Sequence, residues 1–350
     1  MIRGIVAVVT PHRQNRRQVA RSLHSGGITA HFFDRIDVAD EILALTPGIT
    51  IIDCDAFDPP DALATIRRLD GHCSVVLLSS SSDKSQLLNL IQQHDIGNLV
   101  AKHGAIRAVY PMLDERELLV TCEKVLRRNI FGIEKYVGSW GVVLHNITLT
   151  KLADKTAALA KFETFLNELD VPETITQGII TVAEELILNA VIHAPRDENG
   201  APKYEHIGPR PDLVLAPNEH VQISYGCDGQ RLMLSVTDNF GRLEKRTVRE
   251  YLTRAFENTQ LRTEDKASGA GLGLSMALRS IHQLIFNIQD RRRTEVIAGW
   301  YLRVNSTGEF RQVGKSLNVF WLPKDSVPKV DDAPIAVTEG LTTLASGIVT

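Results

Sequence analysis

Three polar side chains at helical spacing are the first residues in this sequence that could do chemistry. Glu185, Asn189 and His193 stand at i, i+4 and i+8 in the segment EELILNAVIH, so on a helix they form one stripe. Nearly all their neighbours are apolar, which predicts a buried helix. A carboxylate can act as a base and an amide oxygen can bind a hard cation. On its own, the stripe is better explained by a satisfied polar network in a core.

A second motif is the carboxylate in RLMLSVTDNFG. Apolar residues alternate along this predicted strand, and Asp238 falls on their face at the end of the strand. A carboxylate aimed towards a core needs hydrogen-bond donors. Gly241 then allows the backbone to turn closely at the same place.

A third motif is the glycine cluster SGAGLGLS. Gly269, Gly271 and Gly273, followed by Leu274, run into a predicted helix. Glycines let backbone N–H groups approach an anion, and a helix N-terminus favours negative charge. The cluster lacks the Lys-Ser/Thr of a P-loop and does not follow a strand, so taken alone it is a weak signal.

Together and in this order, the three motifs resemble the GHKL ATP-binding fold of sensor histidine kinases, anti-sigma-factor serine kinases, gyrase-type topoisomerases and Hsp90-type chaperones. The resemblance spans residues 152–323. Glu185 and Asn189 match the Glu-x-x-x-Asn motif, and the three glycines match GxGxG. DNFG matches the Asp-Gly motif in part, because Phe240 stands where the family usually has glycine.

The resemblance implies ATP and Mg²⁺ as cofactors. Asn189 would ligate Mg²⁺, Glu185 would be the general base, and Asp238 would accept the adenine amino group. The other implied ATP contacts are His193, Gly241, Gly269, Gly271, Gly273, Leu274 and Ser316, the last as the late-strand residue that touches adenine in the family. For His193, a hydrogen bond to a neighbour at the helix end is an equally good interpretation.

The first part of the chain alternates short apolar runs with amphipathic segments, which predicts a parallel sheet covered on both faces. Over residues 3–128 it resembles a response-regulator receiver domain. That resemblance implies Asp53 as the phosphoacceptor, with Asp55 as a less favoured substitute, and Ser79 and Lys102 as its partners.

The receiver-like part departs from its family. Thr10, Pro11 and His12 replace the acidic pair that follows the first strand, and His103 stands where a proline is usual. Without these carboxylates, Mg²⁺-dependent phosphoryl transfer to Asp53 should be weak. We therefore expect a degenerate receiver that serves as an interaction or dimerisation module.

The expected fold class is α/β. It comprises an N-terminal doubly wound, flavodoxin-like receiver domain (residues 1–128), a connector (129–150), a C-terminal α+β two-layer GHKL domain (151–325) and a flexible tail (326–350). A chain of 350 residues is expected to form about two domains, each with its own core. In the second domain we predict helices over 155–169 and 172–193, and another beginning at LSMALRSIHQLI.

Composition and charge limit the classes of partner and the cellular compartment that we expect. The formal charge of −3 gives no reason to expect nucleic acid or an anionic membrane as a partner. The four cysteines form no CxxC pair, which favours a reduced, cytoplasmic protein. The first apolar run is too short for a signal peptide, and no stretch approaches the roughly 20 apolar residues of a spanning helix.

The expected function is signal transduction by a cytoplasmic, ATP-dependent protein. His94, His103 and His145 lie outside any long helical hairpin, which argues against an autophosphorylating histidine kinase. We favour a Ser/Thr-directed kinase, similar to anti-sigma-factor kinases, acting on a separate signalling protein. The alternative is a non-catalytic, ATP-responsive switch that binds a partner. A homodimer is also left open.

Overall fold

The fold was analysed in a computed structural model of the chain. It describes residues 4–80, 97–103, 112–138, 141–204, 212–244, 246–248, 281–302 and 315–328. The predicted helix KSQLLNLIQQ, the glycine motif and most of the segment between Arg242 and Ala267 lie outside these residues.

The N-terminal unit is doubly wound, as the alternating pattern predicts. Its parallel strands lie in the order β2-β1-β3-β4-β5, which is the flavodoxin-like arrangement. In chain order the elements are β1 (Ile5–Val9), α1 (Arg13–Ser25), β2 (Thr29–Phe33), α2 (Ala39–Ala44), β3 (Ile49–Asp53), α3 (Pro59–Leu69), β4 (Ser74–Ser79), β5 (Asn98–His103), β6 (Met112–Leu113) and α4 (Glu115–Arg127).

Helices cover both faces of this part of the sheet. Val19 and Leu23 of α1 and Leu118 of α4 pack on one face, and Ile42 of α2 and Ile66 of α3 pack on the other. Because both faces are covered, β3 is buried at every position. Helix α4 begins at Asp114, whose carboxylate accepts the backbone N–H groups of two first-turn residues.

The C-terminal unit places helices on a mostly antiparallel sheet in the order β12-β10-β11-β9-β8-β7, with β12 and β10 parallel. Its elements are β7 (His145–Leu149), α5 (Asp154–Glu168), α6 (Glu173–Leu188), a π-helical turn (Asn189–His193), β8 (Val221–Cys227), β9 (Arg231–Asp238), β10 (Gln283–Gln289), β11 (Arg293–Tyr301) and β12 (Ser316–Leu322). The predicted helices α5 and α6 are present, and strand β7 falls in the segment assigned to a connector.

One secondary-structure prediction is wrong at its C-terminal end. The helix predicted over LSMALRSIHQLI cannot reach its last residues, because β10 begins at Gln283 and pairs with both β11 and β12. Strand β10 is buried almost throughout, and a short apolar run that is buried on both faces cannot be told from a helix by periodicity.

The two units share one sheet. Strand β12 pairs antiparallel with β5, joining Leu317 to Leu99 and Asn318 to Asn98. One apolar cluster runs along the face that carries α2, α3, α5 and α6, from Val9 and Ile52 to Leu234. On this face the expectation of a separate core for each unit is therefore wrong, because the edge strand of one unit is completed by the other. On the opposite face the N-terminal unit keeps an apolar cluster of its own.

Helix α4 spans the junction on the opposite face. Leu118 and Cys122 belong to the N-terminal core, whereas Val120 packs with Ile285 and Phe320 of the C-terminal unit. The segment that follows α4, around Ile133 and Tyr136, covers the rest of that face. Helix α4 thus contributes side chains to two cores at once.

Among the described residues, one helical segment is long and apolar enough to cross a membrane by length and composition. It is the 21-residue stretch Glu173–His193, formed by α6 and the π-turn. This corrects the expectation that no segment approaches that length. In the structure the segment packs on α5 and β9, with Ile179, Val182 and Leu186 in the core.

Candidate functional site

The polar stripe of α6 lies where the α-helix changes to a π-helical turn. The turn begins at Asn189, whose carbonyl accepts the backbone N–H of Ala194 at 3.0 Å, five residues on. Such turns occur frequently at functional sites. The turn packs against β9, the strand that ends at Asp238. The structure therefore brings the first motif next to the strand that carries the second.

Glu185, Asn189 and His193 are half-buried, so the stripe reaches solvent. The prediction of a buried helix is wrong for one side of α6, because Glu173, Gln177 and Thr181 are exposed. The side chain of Asn189 hydrogen-bonds to the Glu185 carboxylate. Burial raises the pKa of Glu185, and the nearby His193 and the Asn189 hydrogen bond only partly offset this effect. A carboxylate whose pKa moves towards neutrality is better suited to general-base work.

Asp238 is buried at the end of β9 and organises the turn that follows. Its Oδ1 atom accepts the backbone N–H of Phe240 at 2.8 Å and that of Gly241 at 3.4 Å. The hydroxyl and the N–H of Thr294, its neighbour on β11, donate the other two hydrogen bonds. Burial raises the pKa of Asp238 to about 6, although these donors act in the opposite direction.

Gly241 has a positive φ of 58° and lies against the turn between β10 and β11. A Cβ atom there would lie 2.6 Å from the amide nitrogen of Arg292 and closer still to the Gln289 carbonyl. The glycine is therefore required both by its backbone conformation and by this close approach.

A carboxylate offers about four lone-pair sites, and the four donors around Asp238 use them all. An adenine amino group would have to replace one of the four. The Thr294 hydroxyl is the donor best able to leave, because a hydroxyl can rotate whereas backbone N–H groups are held by the turn. The sequence did not identify Thr294 as a hydrogen-bond partner of Asp238. The pairing of β9 with β11 places the two residues opposite each other.

Ser316 lies away from the Asp238 turn, at the junction between the units. Its Oγ accepts the backbone N–H of Ala101 on β5 at 2.9 Å, and its hydroxyl hydrogen-bonds to Glu117 on α4. In the sheet, β10 and β11 separate β12 from β9. The expectation that Ser316 touches adenine is therefore corrected. The remaining predicted contacts, Gly269, Gly271, Gly273 and Leu274, lie outside the described residues.

In the N-terminal unit, the structure brings Asp53 and Lys102 together at the ends of β3 and β5. Asp53 is completely buried, and its Oδ1 accepts Lys102 Nζ at 2.5 Å. Its Oδ2 accepts the Thr10 hydroxyl at 2.9 Å and Asn15 Nδ2 at 2.5 Å. Thr10 and Asn15 are therefore neutral hydrogen-bond donors to Asp53. The sequence did not identify either residue as a partner of Asp53. Asp53 thus presents no oxygen to solvent.

Asp55 is the more accessible carboxylate of this site. Its Oδ1 accepts the Ser79 hydroxyl at 2.9 Å, and its Oδ2 accepts the Ser80 hydroxyl at 2.8 Å and Lys102 Nζ at 2.6 Å. Burial opposes ionisation of Asp55, but Lys102 and Ser80 outweigh it and lower its pKa. Ser79 is therefore placed beside Asp55 through a direct hydrogen bond.

Lys102 neutralises both carboxylates. Burial would lower its pKa, but the charge of Asp53 and the hydrogen bonds to both aspartates raise it. Within the part of the chain that the structure describes, no group of three or more His, Cys, Asp or Glu side chains could hold a metal ion.

Comparisons with known proteins find partial similarities among solved structures. No family model matches the chain, and no curated protein matches it in sequence. Among solved structures, it is similar to the receiver domain of nitrogen regulatory protein C, at 22% identity over 37% of this chain and 98% of that one, with a TM-score of 0.31. A response regulator from Thermotoga maritima gives 17% identity over 35% and 97% of the two chains, with a TM-score of 0.29.

The SiaB–SiaC complex from Pseudomonas aeruginosa is also similar in part. The identity is 12% over 44% of this chain and 88% of that one, with a TM-score of 0.29. At these identities the resemblances concern the fold alone.

Proposed function

We propose that this chain is a signal-transduction protein whose C-terminal unit binds Mg²⁺-ATP and transfers the γ-phosphoryl group to a partner protein. The observation that carries the proposal is the half-buried Glu185–Asn189 pair, which lies where α6 ends and the π-helical turn begins, against the strand that ends at Asp238. The pair is accessible to a ligand, and the Asn189 amide hydrogen-bonds to the Glu185 carboxylate.

The residues present fit a magnesium ion. Mg²⁺ keeps several waters and needs only one or two protein oxygens when it also binds phosphates, so the Asn189 amide oxygen suffices. Bound Mg²⁺ would neutralise phosphate charge during transfer. Asn189 already contacts Glu185, which would keep the base close to the ion. Glu185 would take the proton from the attacking hydroxyl, as its raised pKa favours.

The N-terminal unit is proposed to act as a regulatory module and not as a phosphoacceptor. Its buried Asp53 is held by Lys102, Thr10 and Asn15, and its edge strand β5 is joined to β12 of the proposed kinase unit. The proposed partner would be a separate signalling protein, and the proposed compartment is the cytoplasm.

A second candidate is an ATP-responsive switch without catalysis. The four donors that surround Asp238 favour it, since adenine binding would have to rearrange the turn after β9 or the contact of Asp238 with Thr294 on β11. Such a rearrangement would reach Gly241 and the strands that lead towards β12 and the N-terminal unit. A switch would bind ATP and leave it intact.

Calorimetric titration with Mg²⁺-ATP tests the proposal. Wild-type protein should bind, and Asn189→Ala should lose about tenfold or more in affinity, which corresponds to one hydrogen bond to a charged group, about 1.5–3 kcal/mol. Gln177→Ala is the matched control, because Gln177 is exposed on the same helix and bonds only locally to Glu173. Equal affinity of Asn189→Ala and wild type, or no binding by wild type, would overturn the proposal.

A further inference from the structure

Buried polar atoms gather between α4 and the strands of the junction. Six of them have no hydrogen-bond partner among the described residues, although they are shielded from solvent. They are Asn98 Oδ1, Glu117 Oε2, Thr121 Oγ1, Gln283 Nε2, Gln283 Oε1 and Asn318 Oδ1. Such clusters are rare in folded proteins, because an unsatisfied buried polar group opposes folding.

Strand register places these atoms on one face. Asn98 is paired with Asn318 across β5 and β12, and Gln283 is paired with Ser316 across β10 and β12. The core on the opposite face contains their neighbours along the strands, Leu99, Leu284 and Leu317. Because side chains alternate along a strand, the polar residues face α4. Helix α4 presents Glu117 and Thr121 towards them.

Glu117 is the ionisable group at the centre of this cluster and has no exposed surface. Its Oε1 accepts Asn318 Nδ2 at 3.4 Å, and the Ser316 hydroxyl also hydrogen-bonds to the carboxyl group. Its Oε2 lacks a donor, while Asn98 Oδ1 and Asn318 Oδ1 lack donors as well. Four of the six unpaired atoms are acceptor oxygens, whereas the unpaired donors are the Gln283 amide nitrogen and the Thr121 hydroxyl. One proton on Glu117 would turn an acceptor into the missing donor.

The charge of Arg231 lowers the pKa of Glu117, but the Arg231 guanidinium contacts other carboxylates. Arg231 contacts Asp114 at 3.1 Å and Asp228 at 3.6 Å, and Lys124 donates to Asn287 at 3.1 Å. The groups that interact with Glu117 through their charge are Asp114 at the N-cap of α4, Arg231 on β9, Tyr301 on β11 and Tyr136 after α4. The buried charged groups nearby are bound elsewhere: Lys124 to Asn287, Glu295 to Asn287 and Ser235, and Lys102 to Asp53 and Asp55. Helix α4 also carries Glu115, Arg116, Glu123 and Arg127, and β11 carries Arg293. The residues that β10 and β12 present to Glu117 are uncharged.

We infer that Glu117 is protonated in the assembled junction, and that the docking of α4 and β5 on β12 is linked to this proton. Loss of the proton would place an unpaired carboxylate against amide oxygens and weaken the contact between the two units. The device is regulatory, and it does not depend on nucleotide binding.

The direction of the titration agrees with this geometry. Burial, and then the charge of Asp114, raise the pKa of Glu117 to about 8. The folded pKa lies above the unfolded value of about 4.3, so the folded state binds the extra proton. The stabilising contribution is complete below the unfolded pKa, and it is lost as pH rises to about 8. The junction should therefore loosen at mildly alkaline pH.

Infrared difference spectroscopy on the full chain tests the proton directly. Wild type minus Glu117→Gln should show the carbonyl stretch of a buried carboxylic acid at pH 6.5, and the band should disappear as pH rises through about 8. No such band in wild type at pH 6.5 would overturn the inference. This readout on wild type does not depend on how well the variant folds, because the pH titration alone resolves the band.

Amide hydrogen exchange tests the link to docking. The reporter is the Ala101 N–H, which donates to Ser316 across the junction. Between pH 6.5 and 9, after correction for the intrinsic rate, its protection factor should fall at least tenfold in wild type and stay constant in Glu117→Gln. The Val8 N–H in β1 is the reference, since β1 lies between β2 and β3 and far from β12 in the sheet. Equal pH dependence in both proteins would overturn the inference.

Discussion

At the scale of single residues, Lys102 forms ion pairs with two carboxylates of the N-terminal unit. It is 4% exposed and neutralises both Asp53 and Asp55. Lys102→Met should destabilise the protein by about 3–5 kcal/mol, because it leaves a buried charge without its partner. The measurement is the free energy of unfolding in urea at pH 7.

The control for this prediction is Arg68→Met, which removes an exposed ion pair with Asp40 and should leave the urea midpoint unchanged. The pH dependence gives a second check. Because the pKa of Asp55 is lowered in the folded state, its contribution is present above the unfolded pKa and is lost as pH falls through the folded pKa. In Lys102→Met this acid-side loss should be smaller. Equal stability of the Lys102 variant and wild type would contradict the account of this site.

The resemblance to a receiver domain implied that Asp53 and Lys102 meet, and parallel strands do place their carboxyl ends at one edge. Thr10 stood in the predicted position of the missing acidic pair, but its bond to Asp53 depends on side-chain geometry. Asn15 lies on α1, where nothing in its spacing marks it. Ser316 was expected near adenine because the order of the strands in the sheet could not be predicted.

At the scale of elements, the turn after β9 depends on one glycine. Gly241→Ala should cost about 3 kcal/mol or more, since it combines a left-handed backbone conformation with overpacking against the β10–β11 turn. Gly229→Ala is the matched control. Gly229 also has a positive φ, but open space surrounds it, so the cost should be about 1–2 kcal/mol.

Thermal or urea unfolding of the two glycine variants measures the difference. Equal destabilisation by Gly241→Ala and Gly229→Ala would show that the close approach to Arg292 is not a constraint. Because the turn also holds Asp238, the Gly241 variant should weaken ATP binding too, if Asp238 belongs to the nucleotide site.

Periodicity predicted most of the elements, including β1, β3, β9, α5 and α6. It failed at β10, where the apolar run continued the pattern of the preceding segment. It also could not predict the π-helical turn at Asn189, because the turn depends on one shifted backbone hydrogen bond and not on the arrangement of apolar residues.

At the scale of the whole molecule, the shared sheet predicts cooperative unfolding. Leu317→Ala, at the β12–β5 pairing, should destabilise the chain by about 2–5 kcal/mol and lower the unfolding midpoints of both units together. Trp300 on β11 and Trp321 on β12 report on the C-terminal unit. Amide protection in β1 and β3 reports on the N-terminal unit.

The exposed residue Val327 provides the control, since Val327→Ala should leave both midpoints where they are. Loss of protection in β1 and β3 at a lower urea concentration than the change in tryptophan fluorescence would contradict one cooperative sheet. The pairing of β5 with β12 was not predictable, because the sequence of an edge strand does not specify which strand pairs with it. Each unit could be assigned a sheet from its pattern, but not the continuity between them.

The central claim is phosphoryl transfer by the C-terminal unit, and ATP labelled on the γ-phosphate tests it most directly. The full chain would be incubated with Mg²⁺ and labelled ATP, alone and with cell extract, beside Asn189→Ala and Glu185→Gln. The account predicts label on protein or in free phosphate for wild type and none for either variant, with Glu185→Gln still binding ATP. Equal release of label by wild type and Glu185→Gln would contradict the role of Glu185. Bound ATP that stays intact even with extract would contradict phosphoryl transfer and favour the non-catalytic, ATP-responsive switch.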